Sequence, residues 1–208
     1  MTQGTTAAAL VSMRPQHWIK NVFVLAPLVF SLRLTDPDAL LPALAAFALF
    51  CLASSAVYLT NDLADREADR MHPRKRNRPV ASGELPPRIA GALAAVLAAG
   101  AMAAAWWYLG TGFAGILGGY LALNLVYSLG IKNVVILDVM LVASGFLLRA
   151  WGGAVAISVG MSNWLILCTG LIALFLGFVK RRQELAGLAA GETAQRPILA
   201  EYSVAFLD

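Results

Sequence analysis

The sequence predicts an all-α, polytopic membrane protein whose helices pack as a bundle. Hydrophobic residues make up 59% of its 208 residues, and charged residues make up only 13%. The mean hydropathy is +0.70, and most apolar residues lie in runs long enough, or nearly so, to cross a bilayer as helices. A chain of this composition is expected to have the lipid bilayer as its main partner.

Six complete spans are predicted, all within a single transmembrane domain of residues 1–208. The predicted spans lie near 18–34, 39–60, 88–108, 112–129, 133–157 and 162–180. Pro27 is expected to kink the first span. The sequence Asp36-Pro37-Asp38 predicts an N-cap and a first-turn proline for the second span, and Pro86-Pro87 opens the third in the same way.

Glycines in the later spans predict close helix packing. Gly145 and the pair Gly152-Gly153 leave room for a neighbouring helix, which is how membrane helices associate without a hydrophobic driving force. Residues 201–208, EYSVAFLD, resemble the entrance to a seventh helix. We therefore expect further C-terminal helices to belong to the protein.

The distribution of basic residues predicts the orientation. All but two of the 16 Lys and Arg residues, namely Arg33 and Arg149, lie on alternate loops or at the helix edges beside them. The positive-inside rule assigns these loops and the N-terminus to the cytoplasm. We expect a multi-pass protein of the bacterial inner (plasma) membrane with its polar site on the cytoplasmic side.

Several other classes of protein do not fit. The net charge of +4 is compatible with nucleic-acid binding, but the basic residues lie beside apolar runs and form no groove-reading motif, so no nucleic-acid partner is expected. Cys51 and Cys168 lie within apolar runs and predict core residues rather than a disulfide or metal site. No cleavable signal peptide is expected. An oligomer is possible.

The segment after the second span carries acids first and bases second. Four of the oxygen-bearing side chains there are candidate ligands: Asn61, Asp62, Asp65 and Asp69. On a continuing helix the three aspartates share one face, and this spacing suits Mg²⁺, which prefers oxygen ligands. The alternative is a solvated helix end whose acids pair with Arg66 and Arg70.

The basic half follows Pro73, which breaks the helix. It contains Arg74, Lys75, Arg76 and Arg78. These residues can fold back over the acids and bind phosphate oxygens, although such a cluster also attracts anionic lipid headgroups. Acids for a metal and bases for an anion together predict a pyrophosphate site.

Further charged and aromatic residues are predicted near the same membrane face. Candidate substrate-binding residues are Arg14, Lys20, Tyr127, Lys132, Lys180, Arg181 and Glu184. The alternatives are interfacial anchors for Arg14 and Lys20, an aromatic-belt position for Tyr127 and positive-inside bias for the basic run at 180–182. Asp138 and Arg149 are intramembrane charges, which mark a site or a cavity by default. Asp138 is favoured because it lies near the cytoplasmic end, whereas Arg149 is open to a structural role.

The motif N-D-x-x-D-x-x-x-D directly after a membrane helix resembles the first aspartate-rich motif of the UbiA superfamily of intramembrane prenyltransferases. The matching stretches are RPQHWIKN (14–21), residues 55–83, YSLGIKN (127–133), SGFLLRAWGGAVA (144–156) and KRRQEL (180–185). The resemblance implies a nine-helix bundle around a central cavity with a cytoplasmic polar cap. Six spans and a stub then correspond to the larger part of such a bundle.

One departure from the superfamily affects the expected substrate. Ordinary members carry a second D-x-x-x-D motif near the end of helix six, where this sequence has Lys180-Arg181-Arg182-Gln183-Glu184. Cations do not hold a metal but do bind a phosphate directly. The resemblance is therefore to members that transfer phosphoribosyl from phosphoribosyl pyrophosphate to a polyprenyl phosphate of decaprenyl type. The alternatives are prenyl transfer to an aromatic or other acceptor, and a non-catalytic lipid-phosphate binder or transporter.

The predicted site has three overlapping sets of residues. The predicted ligands of Mg²⁺, the expected cofactor, are Asn61, Asp62, Asp65 and Asp69. The predicted catalytic residues are Asp62, Asp65, Asp69 and Arg70. The predicted substrate-binding residues are Arg14, Lys20, Asn61, Lys75, Arg78, Tyr127, Lys132, Lys180, Arg181 and Glu184.

Overall fold

A computed structural model of the protein describes residues 3–128, 134 and 136–189. Every regular element in this part of the chain is helical. The elements are α1 (Gln3–Met13), a 3₁₀ helix (Pro15–Leu25), α2 (Ala26–Phe30), α3 (Pro37–Ala64), α4 (Arg66–Met71), a 3₁₀ turn (Lys75–Asn77), α5 (Pro79–Ser82), α6 (Pro87–Ala104), a π-helical turn (Ala105–Leu109), α7 (Gly110–Ser128), α8 (Leu137–Ala156) and α9 (Asn163–Ala189). The predicted all-α class is confirmed.

Helix α3 lies at the centre of the bundle and contacts α6, α7, α8 and the Pro15–Leu25 segment. It begins as predicted, with the Asp36 side chain accepting a hydrogen bond from the Asp38 backbone N–H at 3.0 Å and Pro37 in the first turn. Its core face carries Phe50, whose ring meets Phe113 and Tyr120 of α7 edge to face at centroid distances of 5.8 and 5.4 Å.

Four helical runs are long and apolar enough to cross a membrane. They are Pro37–Ala64, Pro87–Ser128, Leu137–Ala156 and Asn163–Ala186. The second run contains two of the predicted spans, because the chain reverses at Gly110, where φ is 81°. Across this hairpin, the Cε atom of Met102 lies 3.5 Å from the position of a Cβ on Gly118.

The first predicted span, 18–34, does not form one continuous α-helix. Its residues belong to the 3₁₀ helix Pro15–Leu25 and to α2, Ala26–Phe30. Pro27 lies in the first turn of α2, where its missing N–H costs nothing, so it starts a helix instead of kinking one. With rises of about 2.0 and 1.5 Å per residue, the two pieces together extend roughly 30 Å, which is the thickness of a hydrocarbon core.

The 3₁₀ segment is pressed against α8 at a glycine. A Cβ on Gly153 would lie only 1.8 Å from the backbone oxygen of Val24. The fully buried Asn21 donates from its side chain to Cys51 Sγ at 3.3 Å and to Ser54 Oγ at 3.2 Å. Tertiary contacts on two sides therefore hold this segment against α3 and α8.

Helix α9 continues beyond the predicted end of the sixth span at residue 180. It runs to Ala189, so Lys180, Arg181 and Glu184 project from helical backbone and not from a loop. The predicted seventh-helix entrance, 201–208, and Lys132 lie outside the described residues. The described helices bring the remaining predicted site residues to one end of α3.

Candidate active site

A cavity of about 730 Å³ opens where α3 meets α4. Its walls come from the 3₁₀ segment, α3, α4, the loop that follows α4, α7, α8 and α9. Eleven predicted site residues line it: Arg14, Lys20, Asn61, Asp62, Asp65, Asp69, Lys75, Arg78, Tyr127, Lys180 and Glu184. Elements far apart in sequence thus converge on one space.

One wall of the cavity carries the three aspartates. Helix α3 ends at Ala64, but helical hydrogen bonding continues across the junction, from Asp65 N–H to Asn61 O at 2.9 Å and from Asp69 N–H to Asp65 O at 2.8 Å. The carboxylates therefore keep the shared face that their spacing predicts. Asp62 is only 2% exposed and Asp69 only 3%, so their charges require partners inside the protein.

Arginines from outside α3 neutralise this acidic wall. Arg78 folds back from the basic half of the loop, and its Nη1 lies 2.6 Å from Asp69 Oδ2 and 3.2 Å from Asp62 Oδ1. Arg14, between α1 and the 3₁₀ segment, donates from Nη2 to Asp62 Oδ1 at 2.5 Å. The acids-then-bases order of the loop thus produces a direct contact between its two halves.

The arginines within the acidic stretch have another partner. Arg66 and Arg70 pair with Glu67 at 3.5 and 3.2 Å. Arg70 also donates from Nε to the backbone oxygen of Ala81 in α5 at 3.1 Å. Arg70 therefore lies outside the cavity, because its turn of α4 faces α5, and its position does not support the predicted catalytic role.

Asn61 is oriented by α7. Ser128 Oγ lies 2.5 Å from Asn61 Oδ1 and 3.0 Å from the backbone oxygen of Asn124. Tyr127, the neighbour of Ser128, lines the same wall. The amide of Asn61 is thereby held at the rim beside Asp62 and Asp65.

Cations from two other elements line the space beside the acids. Lys20 projects from the 3₁₀ segment and Lys180 from α9. Partial burial, followed by the positive charges of Lys20, Arg14 and Lys180, lowers the pKa of His17 below its usual value. The three cations that contribute to this shift after burial lie on one side of the cavity, where their charges suit an anionic ligand.

Arg181 and Asp138 lie behind this wall. Arg181 Nε donates to Asp138 Oδ2 at 2.6 Å, and the guanidinium also bonds Glu184. Asp138 is fully buried and Arg181 is 3% exposed, and neither lines the cavity. Arg181, predicted to bind substrate, instead joins α9 to α8 and orients Glu184, which does line the cavity.

Comparison with known proteins identifies the fold family. The sequence profile of the UbiA prenyltransferase family matches residues 22–185. The chain belongs to the UbiA prenyltransferase family. The UbiA homologue from Archaeoglobus fulgidus, solved bound to DMAPP and Mg²⁺, superimposes with a TM-score of 0.75 over 92% of this chain and 69% of that chain, at 18% identity. This likeness shows a shared fold.

Curated relatives within the UbiA family are more similar in sequence. The decaprenyl-phosphate phosphoribosyltransferase of Mycolicibacterium smegmatis is 38% identical over 94% of this chain and 63% of its own length. A protein of the same name from Corynebacterium glutamicum is 40% identical over 84% of this chain and 53% of its own length. The chain thus spans between half and two thirds of the length of these relatives.

The donor set of this UbiA-family cavity suits a hard cation. Asn61, Asp62, Asp65 and Asp69 offer only oxygen atoms, the ligands that Mg²⁺ prefers. Within residues 3–128 and the described part of 134–189, no group of three or more His, Cys, Asp or Glu side chains is positioned to hold a metal unaided. In proteins Mg²⁺ is commonly held by one or two carboxylates and completed by substrate phosphates.

Sequence reasoning missed six polar residues that line the cavity: His17, Tyr58, His72, Tyr120, Asn124 and Ser128. Helical periodicity offered a signal for some of them. Tyr58 precedes Asp62 by four residues on α3, and Asn124 and Ser128 have the same spacing on α7, so each pair shares a face. Arg149 also lines the cavity whereas Asp138 does not. The sequence alone favours Asp138 over Arg149 as a site residue.

Proposed function

We propose that this chain carries the active site of a transferase that moves 5-phosphoribosyl from phosphoribosyl pyrophosphate to a polyprenyl phosphate of decaprenyl type. The observation that carries the proposal is a cavity with carboxylates on α3 and α4 and with lysines, Lys20 and Lys180, from other elements. Carboxylates suit a metal-bound pyrophosphate, and lysines suit a bare phosphate. The names of the relatives from Mycolicibacterium and Corynebacterium support the same reaction.

The proposed reaction exchanges one bond at C1 of the ribose. The C1–O bond to pyrophosphate breaks, and its electron pair leaves with the pyrophosphate, while an oxygen of the polyprenyl phosphate bonds to C1. That oxygen is already anionic, so no strong general base is required. Arg14 and Arg78, fixed beside the carboxylates, are positioned to stabilise the charge that grows on the leaving group.

We infer that the cofactor is Mg²⁺. The candidate ligands are Asn61, Asp62, Asp65 and Asp69, of which one or two carboxylates would hold the ion together with the pyrophosphate oxygens. The bound ion would neutralise part of the pyrophosphate charge. The Mg²⁺ present in the related Archaeoglobus fulgidus structure supports this inference, and we expect chelation by EDTA to stop transfer and added Mg²⁺ to restore it.

We assign the cavity to the cytoplasmic side of a bacterial inner membrane, because the positive-inside rule favours that side for the basic loop. Arg76 is exposed beside the cavity. In a Cys168→Ser background, the Arg76→Cys thiol should react with an impermeant maleimide in inverted vesicles and not in intact spheroplasts. Labelling only in spheroplasts contradicts the assignment.

Prenyl transfer from a prenyl diphosphate is the second candidate, because the Archaeoglobus fulgidus homologue of the same fold was solved with DMAPP. A second metal-bound diphosphate arm needs more carboxylates. In the described part of α9, Glu184 is the only acid that lines the cavity, and it accepts from Arg181 and lies 4.0 Å from Lys180. This charge balance favours a monophosphate on that side.

The test is a transfer assay in membranes that contain the protein. They receive labelled phosphoribosyl pyrophosphate, decaprenyl phosphate and Mg²⁺, and in parallel a prenyl diphosphate with an aromatic acceptor. We expect labelled ribose phosphate in the lipid fraction with one pyrophosphate released per product. Consumption of the prenyl diphosphate without any labelled lipid would refute the proposal in favour of prenyl transfer.

A further inference from the structure

The buried Arg149 is a cavity-lining charge that the proposed reaction has not used. It lies twelve residues after the start of α8 at Leu137, a depth of about 18 Å along the helix. Only 6% of the surface of Arg149 is exposed. A guanidinium at this depth in a membrane protein is costly and marks a site or a water-filled cavity by default.

The partners of Arg149 are all neutral. Nε donates to Asn21 Oδ1 at 2.7 Å, Nη1 to the backbone oxygen of Gly145 at 2.9 Å, and Nη2 to the Tyr120 hydroxyl at 2.9 Å. The guanidinium also lies over the rings of Tyr120 and Phe146, at 4.7 and 5.3 Å from their centroids. No described carboxylate forms an ion pair with it, so its charge is stabilised only by dipoles and ring faces.

The guanidinium retains unused donors. Arg carries five N–H groups, and three are engaged by Asn21, Gly145 and Tyr120. One N–H therefore remains on each Nη nitrogen of a side chain that lines the cavity. Unused N–H donors on a planar guanidinium match the oxygens of a phosphate or carboxylate.

The fork is held in place before any ligand arrives. The amide nitrogen of Asn21 donates to Cys51 Sγ and Ser54 Oγ of α3, which leaves its oxygen turned toward Arg149 Nε. Asn21 is fully buried, so the amide has no water to exchange for these partners. Such a fixed and incompletely satisfied cation resembles an anion receptor more than a structural tie.

The position of Arg149 separates it from the acidic wall. Ser54, which holds the Asn21–Arg149 pair, precedes Asp62 on α3 by eight residues, or about 12 Å along the helix. An anion on Arg149 is therefore distinct from a pyrophosphate beside Asp62 and Asp69. The two charged substrates of the proposed reaction each carry a phosphate monoester: the 5-phosphate of the ribose and the headgroup of the lipid.

We propose that Arg149, positioned by Asn21 and Tyr120, forms a subsite for a phosphate monoester in the membrane-embedded part of the cavity. The identity of the monoester rests on the proposed function, whereas the anion subsite rests on the contacts of Arg149 alone. If the 5-phosphate occupies the subsite, the donor extends from the acidic wall into the cavity. If the lipid phosphate occupies it, the acceptor is anchored there.

The first experiment measures binding to the purified protein in detergent. The probes are ribose 5-phosphate and farnesyl phosphate, with ribose, farnesol and pyrophosphate with Mg²⁺ as reference ligands. Arg149→Lys keeps the charge but loses the fork, and Arg33→Lys makes the same change at the opposite end of the bundle. We expect Arg149→Lys to weaken binding of one monoester about tenfold or more while pyrophosphate binding stays within about twofold of the wild type.

The pattern of loss identifies the ligand. Weakened ribose 5-phosphate binding assigns the donor, and weakened farnesyl phosphate binding assigns the acceptor. Equal affinities of wild type and Arg149→Lys for both monoesters overturn the subsite, and so does a wild type that binds neither. A similar loss of pyrophosphate affinity in Arg149→Lys also overturns the subsite, because a substitution that disturbs the structure is expected to weaken all ligands.

A second variant tests the geometry if Arg149→Lys does not fold. Tyr120→Phe keeps the ring under the guanidinium and removes only the hydroxyl from Nη2. We expect the same probe to bind more weakly by a few-fold, with no change for pyrophosphate. A Tyr120→Phe protein that binds both monoesters as the wild type does counts against the positioning role.

The turnover assay separates this inference from the proposed function. If the wild type binds a monoester through Arg149 but forms no lipid-linked ribose phosphate, the proposed function fails and the subsite remains. If the wild type transfers phosphoribosyl and Arg149→Lys keeps normal KM values for both substrates, the function stands and the subsite is wrong. Transfer by the wild type, together with a raised KM for one substrate alone in Arg149→Lys, supports both the proposed function and the subsite.

Discussion

Gly153→Ala is expected to displace the segment that carries one side of the cavity. The new Cβ would lie 1.8 Å from the backbone oxygen of Val24 and 2.8 Å from its carbonyl carbon. To reach 3.4 Å, where ordinary contact begins, the two backbones must separate by about 1.6 Å. The obstacle is main chain and cannot rotate aside, so the 3₁₀ segment Pro15–Leu25 must move as a unit.

The energetic cost follows from overpacking. Extra methylenes in a packed core cost about 1–3 kcal/mol and occasionally more, and a backbone obstacle places Gly153→Ala at about 3 kcal/mol. By the scaling for domains of roughly this size, the melting temperature should fall by about 6–12 °C. Because the same segment carries Asn21 and Lys20, the affinity for phosphate ligands should fall as well.

Thermal unfolding in detergent tests this prediction, with Gly115→Ala as the matched control. Gly115 is also a helical glycine, on α7, but a Cβ there meets nothing within 4 Å. Alanine at such a position is expected to be neutral or stabilising by about 0.5–1 kcal/mol. A Gly153→Ala protein that melts like the wild type, or a Gly115→Ala protein that is equally destabilised, would refute the steric argument.

Three substitutions and one titration test the site and the helices that support it. Asp62→Asn should abolish phosphoribosyl transfer, because it removes the carboxylate that Arg14 and Arg78 share. Lys180→Ala should raise the KM for polyprenyl phosphate, with little change in the KM for phosphoribosyl pyrophosphate. Asp138→Asn removes the fully buried partner of Arg181 and should lower the free energy of unfolding by about 3 kcal/mol, seen as earlier thermal melting. His17 should be neutral at pH 7, because its lowered pKa moves protonation to more acid pH. In NMR of ¹³C-labelled histidine, the pKa of the His17 signal should rise when pyrophosphate binds.

Each of these predictions has a contradicting result. Full turnover in Asp62→Asn, or an unchanged lipid KM in Lys180→Ala, removes the corresponding residue from the site. Unchanged melting of Asp138→Asn shows that its pair with Arg181 does not stabilise the bundle. His17→Gln assigns the histidine signal, and a titration at or above the usual histidine value contradicts the positive field inferred for the cavity.

Features that depend on local sequence were predictable. A proline that follows an N-cap acid favours a helix start whatever the later packing, so the predicted start of α3 at Asp36–Pro37 was correct. The face shared by Asp62, Asp65 and Asp69 follows from helical periodicity alone. These predictions needed no knowledge of what packs nearby, and they supplied the acidic wall of the cavity.

Features that depend on partners were not predictable. Arg70 and Arg78 belong to the same charged stretch, but only the path of the chain after Pro73 decides which one reaches Asp69. The 3₁₀ segment 15–25 likewise packs against Gly153, a contact that its apolar pattern does not predict. Asp138 and Arg149 are eleven residues apart, about three helical turns, which is too far for a direct pair, but spacing does not name Arg181 as the partner of Asp138.

The contact between the two halves of the loop explains why acids and bases occur in one short segment. Buried carboxylates such as Asp62 and Asp69 are costly without nearby positive charge, and Arg78 lies only nine residues beyond Asp69. Closing so short a loop loses little chain entropy, so the site can be assembled and neutralised before any ligand binds. A guanidinium that uses one nitrogen for the acids keeps other N–H groups for phosphate oxygens, and Arg78 can therefore serve the empty and the substrate-bound cavity from the same position.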